Sequence, residues 1–275
     1  MDARRPYVRM IEKGPAAKCN ICLNVAPLTE DHVPPKSCLE DLRVELEPFE
    51  HRLRSHQPKL PLSQNGLRFK TLCGPCNSSL GAHFDPALAN LVSKVRSWLR
   101  SPLILSDRWI VRTEPELIVK SLFGHLLAAT ATDPDTVQDR EMREYVLGVR
   151  TTPGPTTRVL YWLHPGSAVS VLRVVAMPSV RGKFGEIGIF SLIKMPPVGF
   201  MVTTLDAYEG LPRLDSMIAR TGAMADVSFS KNLLRDWDWP ERVDEGNYIA
   251  GGESFSDSMT ARPVGKRQRE GNGRR

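Results

Sequence analysis

Lys18-Cys19-Asn20-Ile21-Cys22 and Leu72-Cys73-Gly74-Pro75-Cys76-Asn77 form two Cys-x-x-Cys knuckles, and between them stands Glu30-Asp31-His32-Val33-Pro34-Pro35-Lys36. A turn of two intervening residues lets both sulfurs of a pair face one ion. Four such thiolates therefore suit a tetrahedral structural zinc held by Cys19, Cys22, Cys73 and Cys76. Fifty residues, 23 to 72, separate the pairs, more than the roughly 15–20 of a simple zinc ribbon. The unit must enclose something besides the zinc. Asp31, His32 and Asn77 are superfluous for a sulfur-bound ion and suit a second, hydrolytic metal.

Working outward from these residues, 25–33 reads as a strand stopped by Pro34-Pro35, since proline fixes its own φ and restricts the residue before it. Residues 40–65 carry no strong period and read as an insertion. Residues 66–72 alternate with the two-residue period of a strand and deliver Cys73. A short helix then follows from Asn77. Asp85-Pro86 is a helix start, with a carboxylate ahead of a proline in the first turn, and Leu88, Leu91, Val92, Val95, Trp98 and Leu99 follow at helical spacing. Residues 104–111 read as extended. Further helices are expected from about 113, through Leu117, Leu122, Leu126 and Leu127, and from Asp133-Pro134 to a glycine stop near Gly148.

From Thr157 the period changes. Residues 158–164, 168–177, 184–195 and 198–205 are β-rich runs with short connections, which favours an antiparallel meander. Residues 213–240 read as mixed helix and loop. From Gly251 onward Gly, Ser, Arg and Lys dominate, the composition of a disordered basic tail. The fold class expected is α+β: an N-terminal zinc finger over 1–85, an α+β domain with an antiparallel sheet over 86–250, and a tail over 251–275.

Composition limits the function classes. With 41% hydrophobic and 25% charged residues the 275-residue chain reads as a globular protein. No apolar run approaches the roughly 20 residues of a membrane span, and the charged N-terminus lacks the apolar stretch of a secretory signal. A cytoplasmic protein with no membrane role is expected. Five cysteines fit a reducing compartment, where paired Cys-x-x-Cys segments serve metals more often than disulfides. Cys38 is the fifth, read as a small buried residue. A net charge of +6 suits a polyanionic partner.

Together, the two Cys-x-x-Cys pairs, the Asp-His step and the Leu-Cys-x-x-Cys-Asn run resemble the HNH endonucleases, whose fold is the ββα-metal finger. The resemblance covers residues 17–85. It implies that His32 is the general base, that Asp31 and Asn77 hold a magnesium or manganese ion against the scissile phosphate, and that the zinc is scaffold. An asparagine that orients the base has Asn65 as its candidate here. The general chemistry agrees. A neutral imidazole accepts a proton near pH 7, and a carboxylate and an amide oxygen are hard ligands for such an ion. The implied activity is hydrolysis of DNA phosphodiesters, with RNA an open alternative. The implied context is phage defence or a mobile element, with a homo-oligomer or protein partner engaged through the C-terminal domain.

Lys36 and Lys70 are candidate phosphate contacts, against a default of solvated lysines. His83 suits a structural role. His125, inside the apolar run 122–129, reads as a satisfied core residue, His51 and His56 have no partner spacing, and His164, before Pro165 at a strand end, reads as structural. Trp98, Trp109, Trp162, Trp237 and Trp239 read as core anchors ahead of base-stacking residues. Lys266, Arg267, Arg269, Arg274 and Arg275 form the basic tail. The competing class is a zinc-stabilised module that binds nucleic acid or protein without cutting. There Asp31-His32 is a chance polar pair and Asn77 caps the following helix.

Overall fold

The fold was obtained as a computed structural model. It describes residues 10–264 apart from 15–16, 54–59, 104–105, 134, 179–186, 209, 222, 242–249 and 252. His56 and the basic residues of the tail beyond 264 lie outside this set, as does the segment 184–186 at the start of the third expected β-run.

The strands are β1 (Ile11–Glu12), β2 (Ala17–Lys18), β3 (Val25–Ala26), β4 (Leu28–His32), β5 (Val44–Pro48), β6 (Leu62–Ser63) and β7 (Arg68–Cys73). They continue as β8 (Arg108–Thr113), β9 (Arg158–Leu163), β10 (Val169–Pro178), β11 (Ile187–Met195), β12 (Val198–Thr203), β13 (Ala225–Ser230), β14 (Ala250–Gly251) and β15 (Met259–Pro263). The helices are α1 (Gly74–Ser79), α2 (Asp85–Leu99), α3 (Pro115–Ala128), α4 (Val137–Val146) and α5 (Asp215–Thr221). The chain is thus mixed helix and strand. No described helix is long and apolar enough to cross a membrane.

Four sheets result. The smallest are the ladders β2–β3 and β13–β8. A three-stranded sheet runs β1-β7-β4, with β4 antiparallel to β7. The large sheet runs β6-β5-β15-β10-β11-β12-β9, with β14 on β10. The antiparallel pairing matches expectation, but only β10, β11 and β12 form a meander: β9 lies on the far side of β12 and not beside β10, so the connection from β9 to β10 crosses over the strands between them. Both faces of the large sheet are covered. Val159, Tyr161 and Leu163 of β9 join the main core, whereas Leu160 and Trp162 point the other way into a second cluster with Phe49 and Met201. Alternate residues of one strand therefore feed two cores.

Helix α2 begins at Asp85 as expected, its buried stripe being Leu88, Leu91, Val92, Val95 and Trp98. A π turn over Leu80–Phe84 joins it to α1. α3 packs so closely against this turn that a Cβ on Gly124 would lie 2.3 Å from Leu80 Cδ2. α4 ends before Gly148, whose φ of +75° is the left-handed conformation of a C-terminal stop.

The structure corrects several boundaries. α4 starts at Val137 instead of Asp133, because Thr136 supplies a better cap than the Asp-Pro step: its hydroxyl accepts from the Asp139 amide at 3.1 Å. Residues 225–230, expected within helix and loop, form β13 against β8. The tail expected from 251 contains β15, which lies between β5 and β10 in the large sheet. β5 and β6, from the stretch expected to be a separate finger, extend that same sheet. The tryptophans behave as core anchors: Trp98 stacks on Trp109 at 5.4 Å, and Trp162 meets Trp239 edge-on at 5.1 Å.

Candidate metal centre and the strand beside it

Pairing of β4 with β7 converts sequence spacing into a site. Leu28 faces Cys73 and Thr29 faces Leu72. The register then slips at Glu30, so Asp31 faces Phe69 and His32 faces Arg68. This β-bulge re-aims the end of β4. Asp31 turns inward and is 8% exposed, while His32 stays half-buried on the opposite face with Arg68. β7 then runs straight into α1, which carries Cys76 and Asn77.

The four paired cysteines come together, their sulfurs all within 4.8 Å of one another. Cys22 Sγ and Cys73 Sγ are 3.7 Å apart. The edge of a ZnS4 tetrahedron is about 3.8 Å for a Zn–S bond of about 2.3 Å, so the cage fits zinc. Four thiols this close cannot all shed protons unaided. Cys19, hydrogen-bonded by Cys76, is pulled down to about 4, whereas Cys76, bonded to Cys19 and half-buried, is pushed up, and burial raises Cys73. Among the described residues this is the one cluster of three or more His, Cys, Asp or Glu side chains with metal-ligating geometry. Cys38 lies outside it, buried, its thiol pushed up to about 12 by burial and then by Asp85. A thiol so raised is inert.

Asn77 docks on β4. Its Nδ2 donates to Thr29 Oγ1 at 3.0 Å and to the Glu30 carbonyl at 2.9 Å. Both contacts use the amide nitrogen, so Oδ1 is the atom available to a cation. His32 has its pKa lowered by burial, with Arg68 and Lys36 reinforcing the shift. Asp31 opposes it, as does a hydrogen bond to the Asn65 backbone. Asn65, the candidate for orienting the ring, thus lies beside it through its backbone. Lys36 is exposed yet close enough to act on His32. Lys70 is less apt as a phosphate contact, since it faces Glu12 across the β1–β7 pair at 3.8 Å. Arg68 was not foreseen. It sits opposite His32 with its side chain 11% exposed, paired to Glu30.

The largest departure concerns His125. It is fully buried, as a core residue should be, but its neighbours are carboxylates. Nδ1 lies 3.2 Å from Asp31 Oδ2, off the line of a good hydrogen bond, and Nε2 lies 3.0 Å from Asp85 Oδ1. Burial alone would lower the imidazole pKa, but Asp31 and then Asp85 outweigh it and raise it to about 10. Asp85 is lowered in turn: burial opposes the shift and the charge of His125 overcomes it. An apolar helix betrays a buried histidine but not its partner, so no local signal could have found this contact. His83 remains exposed beside Phe84.

The first knuckle is also tied to the helical body. Asn20 Nδ2 donates to the carbonyls of Leu127, at 2.7 Å, and Thr130, at 2.9 Å, and Thr71 Oγ1 donates to that of Ala128 at 2.7 Å. Carbonyls orphaned at the end of α3 thereby find donors. Arg143 of α4 donates to the Asn20 carbonyl at 3.2 Å.

Compared with known proteins, the chain matches no family model, no curated protein and no solved structure.

Proposed function

We propose that the chain is an HNH-type, metal-dependent endonuclease that hydrolyses phosphodiester bonds of DNA. One observation carries this reading. Asn77 of α1 donates to the Glu30 carbonyl, 47 positions earlier, so the last motif residue lies beside the strand that carries Asp31 and, on its opposite face, His32. The β4–β7–α1 unit, with a cysteine cage that fits zinc at its end, supports the reading of a ββα-metal finger.

On this reading His32 accepts the proton of the attacking water. A neutral ring suits that task, and the Asn65 backbone beside it would help to set its direction. The water oxygen bonds to phosphorus, the bond to the leaving sugar oxygen breaks, and a phosphomonoester and a hydroxyl result. Asp31 and Asn77 would hold magnesium or manganese, whose positive charge offsets the charge that develops at the phosphate. Lys36 and Arg68 line the approach on the His32 side. The zinc, with four sulfurs and no open position, is scaffold.

Engagement of Asp31 by His125, and of Asn77 by β4, favours a second reading in which the unit binds nucleic acid or protein without cutting. Plasmid nicking in magnesium or manganese separates the two. His32→Ala should keep its zinc and fold but lose nicking by a factor of 10² or more. Cys73→Ser should lose zinc and fold together. Wild-type protein that binds DNA and never cuts would establish the binding module instead.

A further inference from the structure

The contact between α3 and the end of β4 gives the candidate site a part that the finger itself does not contain. His125 is 1% exposed, and each ring nitrogen faces a carboxylate from a different element: Nε2 faces Asp85 at the start of α2, and Nδ1 faces Asp31 at the end of β4. Asp85 is itself held. Ser121, one turn earlier on the same face of α3, donates to its Oδ1 at 2.7 Å. Ser121 and Asp85 thus set the plane of the ring, and the ring sets where the Asp31 carboxylate can point. No other fully buried histidine among the described residues touches a carboxylate of the candidate site.

We infer that His125 is a positioning residue for Asp31, so that α3 of the large body, and not the finger alone, aims the carboxylate that takes the hydrolytic cation. This rests on the nuclease reading above. Side chains that brace a metal-binding group govern its affinity nearly as strongly as the group itself, and their loss typically costs 10–100-fold in metal affinity or activity. A bracing group delivered by α3 also makes cation affinity depend on how α3 sits against β4. Anything that shifts that helix would tune the site.

The test uses the full-length, zinc-loaded protein and manganese as the probe, titrated by electron paramagnetic resonance, with zinc content and melting temperature recorded beside it. Wild type should bind one manganese ion, and Asp31→Asn should abolish that binding. His125→Gln should retain zinc but bind manganese 10–100-fold more weakly, with nicking restored by a matching rise in manganese. Asp85→Asn, which frees the far side of the ring, should weaken manganese less than His125→Gln does; it also serves as the second probe if His125→Gln fails to fold. A purely structural histidine would lower the melting temperature and leave the manganese affinity alone. Loss at Asp31→Asn with wild-type affinity in both His125→Gln and Asp85→Asn would overturn the inference and leave the nuclease reading standing. Wild type that binds no manganese would sink both.

Discussion

His164 shows how one buried group can set a response to acid. It directly follows β9 at 2% exposure, and its Nε2 donates to the Ala168 carbonyl at 3.2 Å. Burial, reinforced by the ammonium of Lys194 on β11, pushes its pKa down to about 3. Lys194 is held there by an ion pair with Glu241 and by the carbonyls of Trp237 and Trp239. In the unfolded chain a histidine titrates near 6.5. Between about 3 and 6.5 the unfolded chain therefore binds one proton more than the folded one, and stability falls as pH drops through that window. The expected slope is up to about 1.4 kcal/mol per pH unit for a single proton. Urea titrations at pH 7, 6 and 5 should show His164→Asn losing less stability on acidification than wild type; parallel profiles would refute the assignment. The sequence placed this histidine at a strand end without a partner. It could not reveal that β11 delivers a lysine beside it.

At the scale of the element, α4 depends on one carboxylate doing two jobs. Asp139 Oδ2 accepts from the Thr136 amide at 3.0 Å, closing the cap, and Oδ1 accepts from Arg173 Nη2 at 2.6 Å. Arg173 is fully buried on β10, where the ladder with β11 shifts register between Leu172 and Val175. Asp139→Asn preserves the size of the side chain but leaves a buried guanidinium without its counter-charge. A loss of about 3–5 kcal/mol is expected by urea unfolding. Replacing both partners, with Asp139→Asn and Arg173→Met, should recover most of it, since an uncharged pair has no charge to desolvate. The sequence reading set the start of this helix at Asp133-Pro134, three residues before the Thr136 cap that the structure uses. The ion pair was not legible at all, because an arginine inside an apolar strand carries no mark of its partner.

Across the whole molecule, the cysteine-rich unit and the large body share a sheet and a polar seam. β5 is paired on one side by β15, the strand formed from residues expected to be tail, and Asn20, Thr71 and Asp31 all find partners on α3. A fragment of residues 1–85 would expose β5 as an unpaired edge and strip buried polar groups of their partners, at about 1–3 kcal/mol each. Zinc alone should not rescue it. Its amide NMR spectrum should lack dispersion even when zinc is bound, whereas a well-dispersed spectrum would show that the finger folds by itself. β15 escaped the sequence reading because Met259-Thr260-Ala261-Arg262-Pro263 is short, has one β-branched residue and lies within a stretch dominated by Gly, Ser, Arg and Lys. Its strand character comes from two neighbours that bracket its backbone.

The sequence by itself determined what short-range geometry can enforce. The cysteine pairs, the strand that delivers Cys73 to a short helix, the start of α2, the glycine stop of α4 and the β10–β12 hairpins all rest on spacings of a few residues, where one turn or one pleat decides which side chains meet. Tertiary structure alone decided which distant groups share a buried space. It set His125 against Asp31, Arg173 against Asp139 and β15 between β5 and β10. Hydropathy records that a residue leaves water, but the charge that compensates a buried polar group is chosen only when distant elements pack against one another.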